Sequence, residues 1–160
     1  MKTKEEDAID IWEIIKSNKT AMLTTGTANG MRGRPMQIIQ DTYDGTICFL
    51  APSESDPVAE ITNNPEVGVT FINDLTGNYL SLSGTGRISD DDELKKSLWN
   101  QDVAWLFPSG TSQEGVSVIE INISQGESWR DSDNSVNLYE RIYAFVENRK
   151  PIKEMQPKTA

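Results

Sequence analysis

Short segments of alternating apolar and polar residues constrain the fold of this chain more than any other feature. Segment 116–123 sets Ile119, Ile121 and Ile123 against polar neighbours, and segment 79–88 alternates leucine with serine. A period of two places every second side chain on the same face of a strand. Strands that are apolar on one face only are typical of antiparallel sheets, so the pattern favours a mainly β fold.

Further strands are predicted at 19–25, 34–40, 46–51 and 67–72. The stretch GTANGMRG at 26–33 holds three glycines and predicts a loop between the strands at 19–25 and 34–40. Asp44-Gly45 is a turn signal and predicts a hairpin leading into the strand at 46–51. The strands are therefore short and closely linked.

Helices are predicted at 5–17 and 137–150, where apolar residues recur at helical spacing. A serine or aspartate cap with proline in the first turn predicts a helix at 53–64, and acids followed by lysines predict one at 90–99. The acidic run at 90–93 opens the last of these and is interpreted as a helix cap, with a hard-cation site as the alternative. Helices inserted between antiparallel strands favour a mainly β α+β barrel over a doubly wound fold. Residues 1–150 are expected to form one domain, and 151–160 a mobile tail.

The chain has 160 residues, a formal net charge of −10 and no histidine. Without histidine, Ser-His-Asp and Cys-His catalysis is excluded, so any redox or group-transfer chemistry would come from a cofactor. The acidic balance argues against nucleic acid and anionic membrane as partners. The N-terminal segment lacks the apolar core of a signal peptide, so a cytoplasmic protein is expected. Cys48, the single cysteine, lies in an apolar run and is expected to be a buried thiol.

Two side-chain groups leave their roles open. Arg32 and Arg34 flank a glycine in MRGRPM, where they could bind an anion such as phosphate or pair with surface carboxylates. Three tryptophans could form a wall for a flat ligand, cover a partner chain or pack in a core, namely Trp99, Trp105 and Trp129. The glycine-rich stretches match neither a P-loop nor a dinucleotide-binding fingerprint.

An ordered series of stretches then carries a family resemblance: TAMLTT at 20–25, RGRPM at 32–36, ICFL at 47–50, ITNNPEVGVTF at 61–71, YLSLSGTGRISDD at 79–91, W…WLFPSG at 99–110 and ESW at 127–129. Over residues 8–148 the chain resembles the pyridoxamine-5′-phosphate-oxidase-like flavin-binding split barrels, in the branch of small bacterial general stress proteins. The resemblance implies a six-stranded antiparallel, Greek-key-like split β-barrel with flanking helices. It also implies a homodimer that binds two flavin mononucleotide (FMN) molecules at its interface.

The resemblance also assigns candidate cofactor contacts. Arg34 would hold the flavin phosphate, and segment 53–57 would be the second phosphate-binding segment. Tyr79 and Ser81 would lie near the ring edge, and Trp129 would reach the site across the dimer interface. The remaining implied contacts are Pro35, Met36 and Gln37 beside the ring, Phe49, Leu50 and Ala51 along its border, and Ser53 and Ser55 at the phosphate.

Departures from the family pattern leave two functions open. Ala51 stands where relatives commonly carry threonine, and Pro57 stands where a lysine usually reaches the phosphate. The loss of one charge-assisted hydrogen bond, about 1.5–3 kcal/mol, predicts weaker flavin binding. One function is an FMN-binding general stress protein with flavin-dependent oxidoreductase activity on a small molecule, and the pattern does not distinguish FMN from FAD. The other is a non-catalytic ligand-binding or sensing dimer. True pyridoxine 5′-phosphate oxidation is not expected, because the C-terminal arginine–histidine pair is missing.

Overall fold

The chain folds around one antiparallel sheet, as a computed structural model of residues 4–107, 115–131 and 139–144 shows. The helices are α1 (Lys4–Ser17), α2 (Asp56–Asn63), α3 (Asp92–Leu98) and α4 (Gln101–Leu106). The strands are β1 (Thr20–Thr27), β2 (Gly30–Gln37), β3 (Thr46–Pro52), β4 (Glu66–Asn73), β5 (Asn78–Ser89), β6 (Val116–Asp131) and β7 (Tyr139–Ala144).

The sheet runs in the order β2-β1-β4-β5-β6-β3, and β7 pairs with the far part of β6. Every neighbouring pair is antiparallel. The long β5–β6 ladder shifts register between Ser83 and Gly84, and such a bulge bends a strand and increases its twist. The sheet therefore curls into a half-barrel, with β2 and β3 as the two ends of the six-strand path.

The alternating side chains build two apolar clusters on opposite sides of β3. The main core combines the inner face of the sheet with α1 and α2, and its fully buried members include Ile14, Leu23, Phe49, Val69, Phe71 and Leu82. A second cluster forms where α3 and α4 cover the other face of β3, and it consists of Ile39, Val103, Phe107 and Val116, with Leu50, Leu98 and Trp99 packed against them. Period-two alternation thus sends Phe49 into the main core and Leu50 toward the second cluster.

Most of the predicted elements are confirmed, including the helices at 5–17, 53–64 and 90–99. The acidic run at 90–93 does act as a cap, since the Asp91 carboxylate accepts hydrogen bonds from the backbone N–H groups of Glu93 and Leu94. Cys48 is buried, with 7 % exposure. Strand β6 extends beyond 123 to Asp131, and the short helix α4 was not predicted.

Three local predictions are wrong. The loop at 26–33 is a hairpin, because β2 begins at Gly30 and pairs with β1 residue by residue, and β2 ends at Gln37 rather than 40. Gly30 has φ 123°, a conformation that favours glycine in a tight turn. Asp44-Gly45 is a bend, with Gly45 at φ 102°, but it does not join a hairpin, because β3 pairs with β6.

The helix predicted at 137–150 is also wrong where the structure describes it. Tyr139–Ala144 is a strand that pairs with β6, and backbone pairing with an exposed strand edge outweighs a helical apolar pattern. The remainder of that prediction and the tail at 151–160 lie outside the described residues.

The bulge at Gly84 generates a stability prediction. An added methyl group there would overlap the backbone carbonyl of Asn122, whereas at Gly68 it would meet Leu82 O at an ordinary 3.7 Å. We expect Gly84→Ala to lower the free energy of unfolding by about 1–3 kcal/mol, measured by urea denaturation. Gly68→Ala is the matched control and is expected to change stability little. Equal stability of the two variants would contradict the bulge packing.

Candidate functional site

A groove lies between β2 and β3, the two strands that end the curled sheet. It has a volume of about 320 Å³, and helix α4 with the residue after it closes one side. Its walls are formed by Pro35, Met36 and Gln37 of β2, Leu50 of β3, Val103, Leu106 and Phe107 of the α4 segment, and Thr20 and Ile39. We call this site the seam groove, because the sheet stays open there.

The local sequence explains why β2 presents these side chains. β2 pairs with β1 alone among the described strands, so its second edge faces the groove. Pro35 suits this position, since proline has no N–H to donate and is tolerated on edge strands. Four residues assigned to the flavin ring by resemblance therefore meet in one groove, namely Pro35, Met36, Gln37 and Leu50.

Arg34, the predicted phosphate ligand, lies beside the groove but faces the inner side of the sheet. It pairs in register with the buried Leu23. Its Nη1 donates to Thr25 Oγ1 at 2.8 Å, and its Nη2 bonds Glu60 Oε2 at 2.5 Å. The Thr25 hydroxyl donates in turn to the same Glu60 oxygen at 2.5 Å. The exposed fractions of the Arg34 and Glu60 side chains are 16 % and 14 %, so this ion pair is largely shielded from water.

Arg32 joins the same set of charges from a more exposed position. Its Nη1 lies 2.9 Å from Glu60 Oε1 and 3.2 Å from Asp56 Oδ2. We call these residues the arginine–carboxylate cluster: Thr25, Arg32, Arg34, Asp56 and Glu60. The cluster joins β1, β2 and α2, and its two positive and two negative charges cancel. Of the two roles considered for the arginines, the structure shows pairing with carboxylates.

The cluster keeps Glu60 ionised. The hydrogen bond from Thr25 lowers the pKa of the Glu60 carboxyl, and the charges of Arg34 and Arg32 lower it further against the opposing effect of burial. A carboxylate held this way binds its guanidinium partners throughout the neutral pH range.

Of the remaining predicted contacts, two on β3 lie in the main core and two serines lie in the turn between β3 and α2. The side chains of Phe49 and Ala51 lie in the main core at 0 % and 3 % exposure, so they do not face the groove. The Ser53 and Ser117 hydroxyls lie 2.6 Å apart, and Ser117 donates to Asp90 at 2.6 Å. Ser55 is the N-cap residue of α2, and its buried Oγ has no hydrogen-bond partner within the described residues.

The other three predicted contacts lie on the outer face of the sheet. Tyr79 of β5 stands opposite Trp129 of β6, and Ser81 stands opposite Thr70 of β4. Strands β1 and β4 separate Ser81 and Tyr79 from β2. Within one chain these residues therefore do not join the seam groove.

Sequence reasoning missed several residues of the site. Glu60 lies 26 residues after Arg34, and nothing local in either stretch indicates that they pair. The α4 wall was missed because its six residues are too short to show helical periodicity. For the stretch WLFPSG at 105–110 the sequence left three roles open: an aromatic wall for a flat ligand, an apolar patch that covers a partner chain, and core packing. Leu106 and Phe107 from it do line the groove, whereas Trp105 is 88 % exposed.

A half-barrel of six antiparallel strands with a groove at its open seam defines the protein as a split β-barrel. The family model for proteins described as pyridoxamine 5′-phosphate oxidase like matches residues 6–151, and the chain belongs to that family. Protein bli-3 of Neurospora crassa is 27 % identical over 105 residues, which are 63 % of this chain and 50 % of that protein. The match thus spans about half the length of this curated relative.

Solved structures share the fold. A protein from Clostridium acetobutylicum related to general stress protein 26 of Bacillus subtilis matches with a TM-score of 0.73 and 20 % identity, covering 91 % of this chain and 97 % of that one. A general stress FMN/FAD binding protein from Xanthomonas citri matches with a TM-score of 0.71 and 23 % identity, covering 83 % and 94 %. The described part of this chain has no helix long and apolar enough to cross a membrane.

The cluster predicts the effect of an isosteric substitution at Thr25. This residue is fully buried, and Thr25→Val removes a hydroxyl that both Glu60 and Arg34 use. We expect a loss of about 1–3 kcal/mol in the free energy of unfolding, measured by chemical denaturation. Thr85→Val, at an exposed position of β5, should leave stability nearly unchanged, and an equal effect of both substitutions would contradict the assignment.

The environment of Cys48 predicts an inert thiol. Burial raises its pKa to about 12, and the charges of Glu120 and Asp44 add to the rise. Since only a thiolate reacts readily, the native protein at pH 8 should react with Ellman's reagent far more slowly than the urea-unfolded chain does. Similar rates in the two states would refute a buried, protonated Cys48.

Proposed function

We propose that this protein binds a flavin, with the isoalloxazine ring in the seam groove. The observation that carries the proposal is that two separate strands bring Pro35, Met36, Gln37 and Leu50 to one groove. Membership in a flavin-binding family supports it. So does the shared fold with the Xanthomonas citri protein, which is described as FMN/FAD binding.

The groove suits a flat, largely apolar ring. Met36, Leu50 and Leu106 offer apolar surface, and Gln37 adds an amide that can donate and accept hydrogen bonds. A bound flavin supplies hydride and electron transfer, and the residues of this chain would bind and orient the ring. We propose FMN as the cofactor.

The phosphate half of FMN fits less well. Both arginines near the groove are already paired with Glu60 or Asp56. Ser53 bonds Ser117, and the Oγ of Ser55 at the start of α2 is buried, although it has no hydrogen-bond partner within the described residues. One neutral hydrogen bond contributes only about 0.5–1.5 kcal/mol. We therefore expect weak flavin binding, and we do not propose Arg34 as a ligand of the phosphate.

We further propose a homodimer that covers the outer face of the sheet. Met22 and Ile72 are exposed there, at 38 % and 64 %. Ile72 lies on β4, which pairs with the strand that carries Tyr79 and Ser81, and Met22 lies on β1, on the other side of β4. Exposed apolar side chains of this size on one face of a sheet favour a protein partner. In such a dimer the outer-face residues of one subunit, including Trp129, could complete the flavin site of the other.

Two activities are compatible with this site. A flavin-dependent oxidoreductase acting on a small molecule is our first proposal, in a general stress protein of the cytoplasm. A non-catalytic ligand-binding or sensing dimer is the second, and the pairing of Arg34 with Glu60 favours it because a weakly held flavin is poorly suited to steady turnover. Burial raises the pKa values of Cys48 and Tyr43, so neither residue is suited to acid–base catalysis at neutral pH.

An absorbance spectrum and an FMN titration of the purified protein test the proposal. We expect saturable binding, followed by tryptophan fluorescence, with a Kd above about 1 µM. Leu106→Glu places a charge on the groove wall at a residue that is 58 % exposed, and it should weaken binding about tenfold or more. Leu75→Glu is the matched control, since Leu75 is 99 % exposed and lies outside the groove.

Two results would contradict the proposal. Equal weakening by both leucine substitutions would exclude the seam groove as the ring site. No binding of any flavin by the wild-type protein would exclude flavin binding altogether, and the non-catalytic alternative would then stand.

A further inference from the structure

We propose that Glu60 determines the ligand specificity of the seam groove by neutralising Arg34, so that the site selects the flavin ring and gains nothing from a 5′-phosphate. Riboflavin and FMN would then bind with nearly equal affinity. The inference rests on the proposed flavin site and names the feature of the ligand that this site does not recognise.

The geometry of Arg34 is the first step of the argument. Both terminal nitrogens of its guanidinium are engaged, one with the Thr25 hydroxyl and the other with Glu60. Bidentate binding of a phosphate uses two guanidinium nitrogens side by side. A phosphate that binds across Nη1 and Nη2 would therefore compete with both Thr25 and Glu60, and the charge of Arg34 is already balanced by the Glu60 carboxylate.

Displacement of Glu60 is unfavourable because of where its side chain lies. The Glu60 carboxylate is 14 % exposed and is held by Thr25, Arg34 and Arg32 together. If a phosphate took the guanidinium group away from Glu60, the shielded carboxylate would lose its partner. It would also lie beside the phosphate, which carries nearly two negative charges. Removing one partner of a partly shielded ion pair is costly because the remaining charge loses its partner, and residual solvent screening reduces this cost.

Asp56 disfavours phosphate binding at the N-terminus of α2, which would be the alternative to binding at Arg34. It lies in the first turn of α2, where it already interacts favourably with the positive end of the helix dipole, and it bonds Arg32. Arg32 is 54 % exposed, and an exposed arginine contributes little binding energy. Across the described residues of this cluster, the charges that a phosphate would meet sum to zero.

The decisive experiment compares two ligands that differ only in the phosphate. Wild-type protein is titrated with riboflavin and with FMN, and we expect dissociation constants within threefold of each other. In Glu60→Gln, which keeps the shape of the side chain and frees the charge of Arg34, FMN should bind at least tenfold more tightly while riboflavin stays unchanged. Glu66→Gln is the charge-matched control on an exposed residue. Its ratio of riboflavin to FMN dissociation constants should equal that of the wild type.

The inference would be overturned if the wild type bound FMN at least tenfold more tightly than riboflavin. This comparison of two dissociation constants requires only the wild-type protein. An unchanged ratio in a folded Glu60→Gln protein would overturn it too. If Glu60→Gln does not fold, Asp56→Asn replaces it, because Asp56 is 71 % exposed. A shift of about threefold toward FMN is then expected, and no shift counts against the proposal.

A flavin-free measurement separates this inference from the proposed function. Thermal unfolding is followed in inorganic phosphate and in sodium chloride at equal ionic strength. Phosphate stabilises folded proteins nonspecifically, so the phosphate-induced rise in Tm is compared between variants. Glu60→Gln should show a larger rise than the wild type and Glu66→Gln. If no variant binds flavin, the proposed function fails and the salt comparison still decides the role of Glu60. An equal phosphate-induced rise in the wild type and in Glu60→Gln would contradict it.

Discussion

The attachment of β2 to the rest of the barrel is the constraint on which the site depends. β2 has one strand partner among the described residues, so any further anchor for it comes from side chains. The arginine–carboxylate cluster supplies it, because Glu60 of α2 holds Arg34 of β2 and Thr25 of β1 together. Arg34 is followed directly by Pro35, Met36 and Gln37, so the same anchor fixes one wall of the seam groove.

This anchor also limits what the groove can bind. An open seam between β2 and β3, closed by α4, provides apolar surface for a flat ring. The cations that would attract the phosphate of a nucleotide are used inside the chain. Structural stability and anion binding thus compete for the same guanidinium groups, and in this chain the carboxylates of α2 occupy them. The fold places this protein among the split barrels, and its charge arrangement sets the ligand preference that we propose.

Local patterns predicted the strands and helices that depend on local sequence. β4 and β5 followed from alternation, and α1 from helical spacing. The errors occurred where tertiary pairing decides the outcome: Tyr139–Ala144 pairs with β6 despite its helical apolar pattern, and β3 pairs with β6 rather than with β2. The family resemblance indicated the β2 side of the groove. It did not indicate Glu60, because an ion pair between residues 26 positions apart leaves no local signal.

The most direct test of this account is an NMR titration of the Glu60 carboxyl group in the free protein and in the presence of saturating FMN. Thr25 and the two arginines lower the pKa of this group. If Arg34 stays paired with Glu60 and does not bind the phosphate, the pKa of Glu60 stays below the usual glutamate value in both samples. A rise of the Glu60 pKa upon FMN binding would show that the phosphate takes Arg34 from it, and would contradict the account.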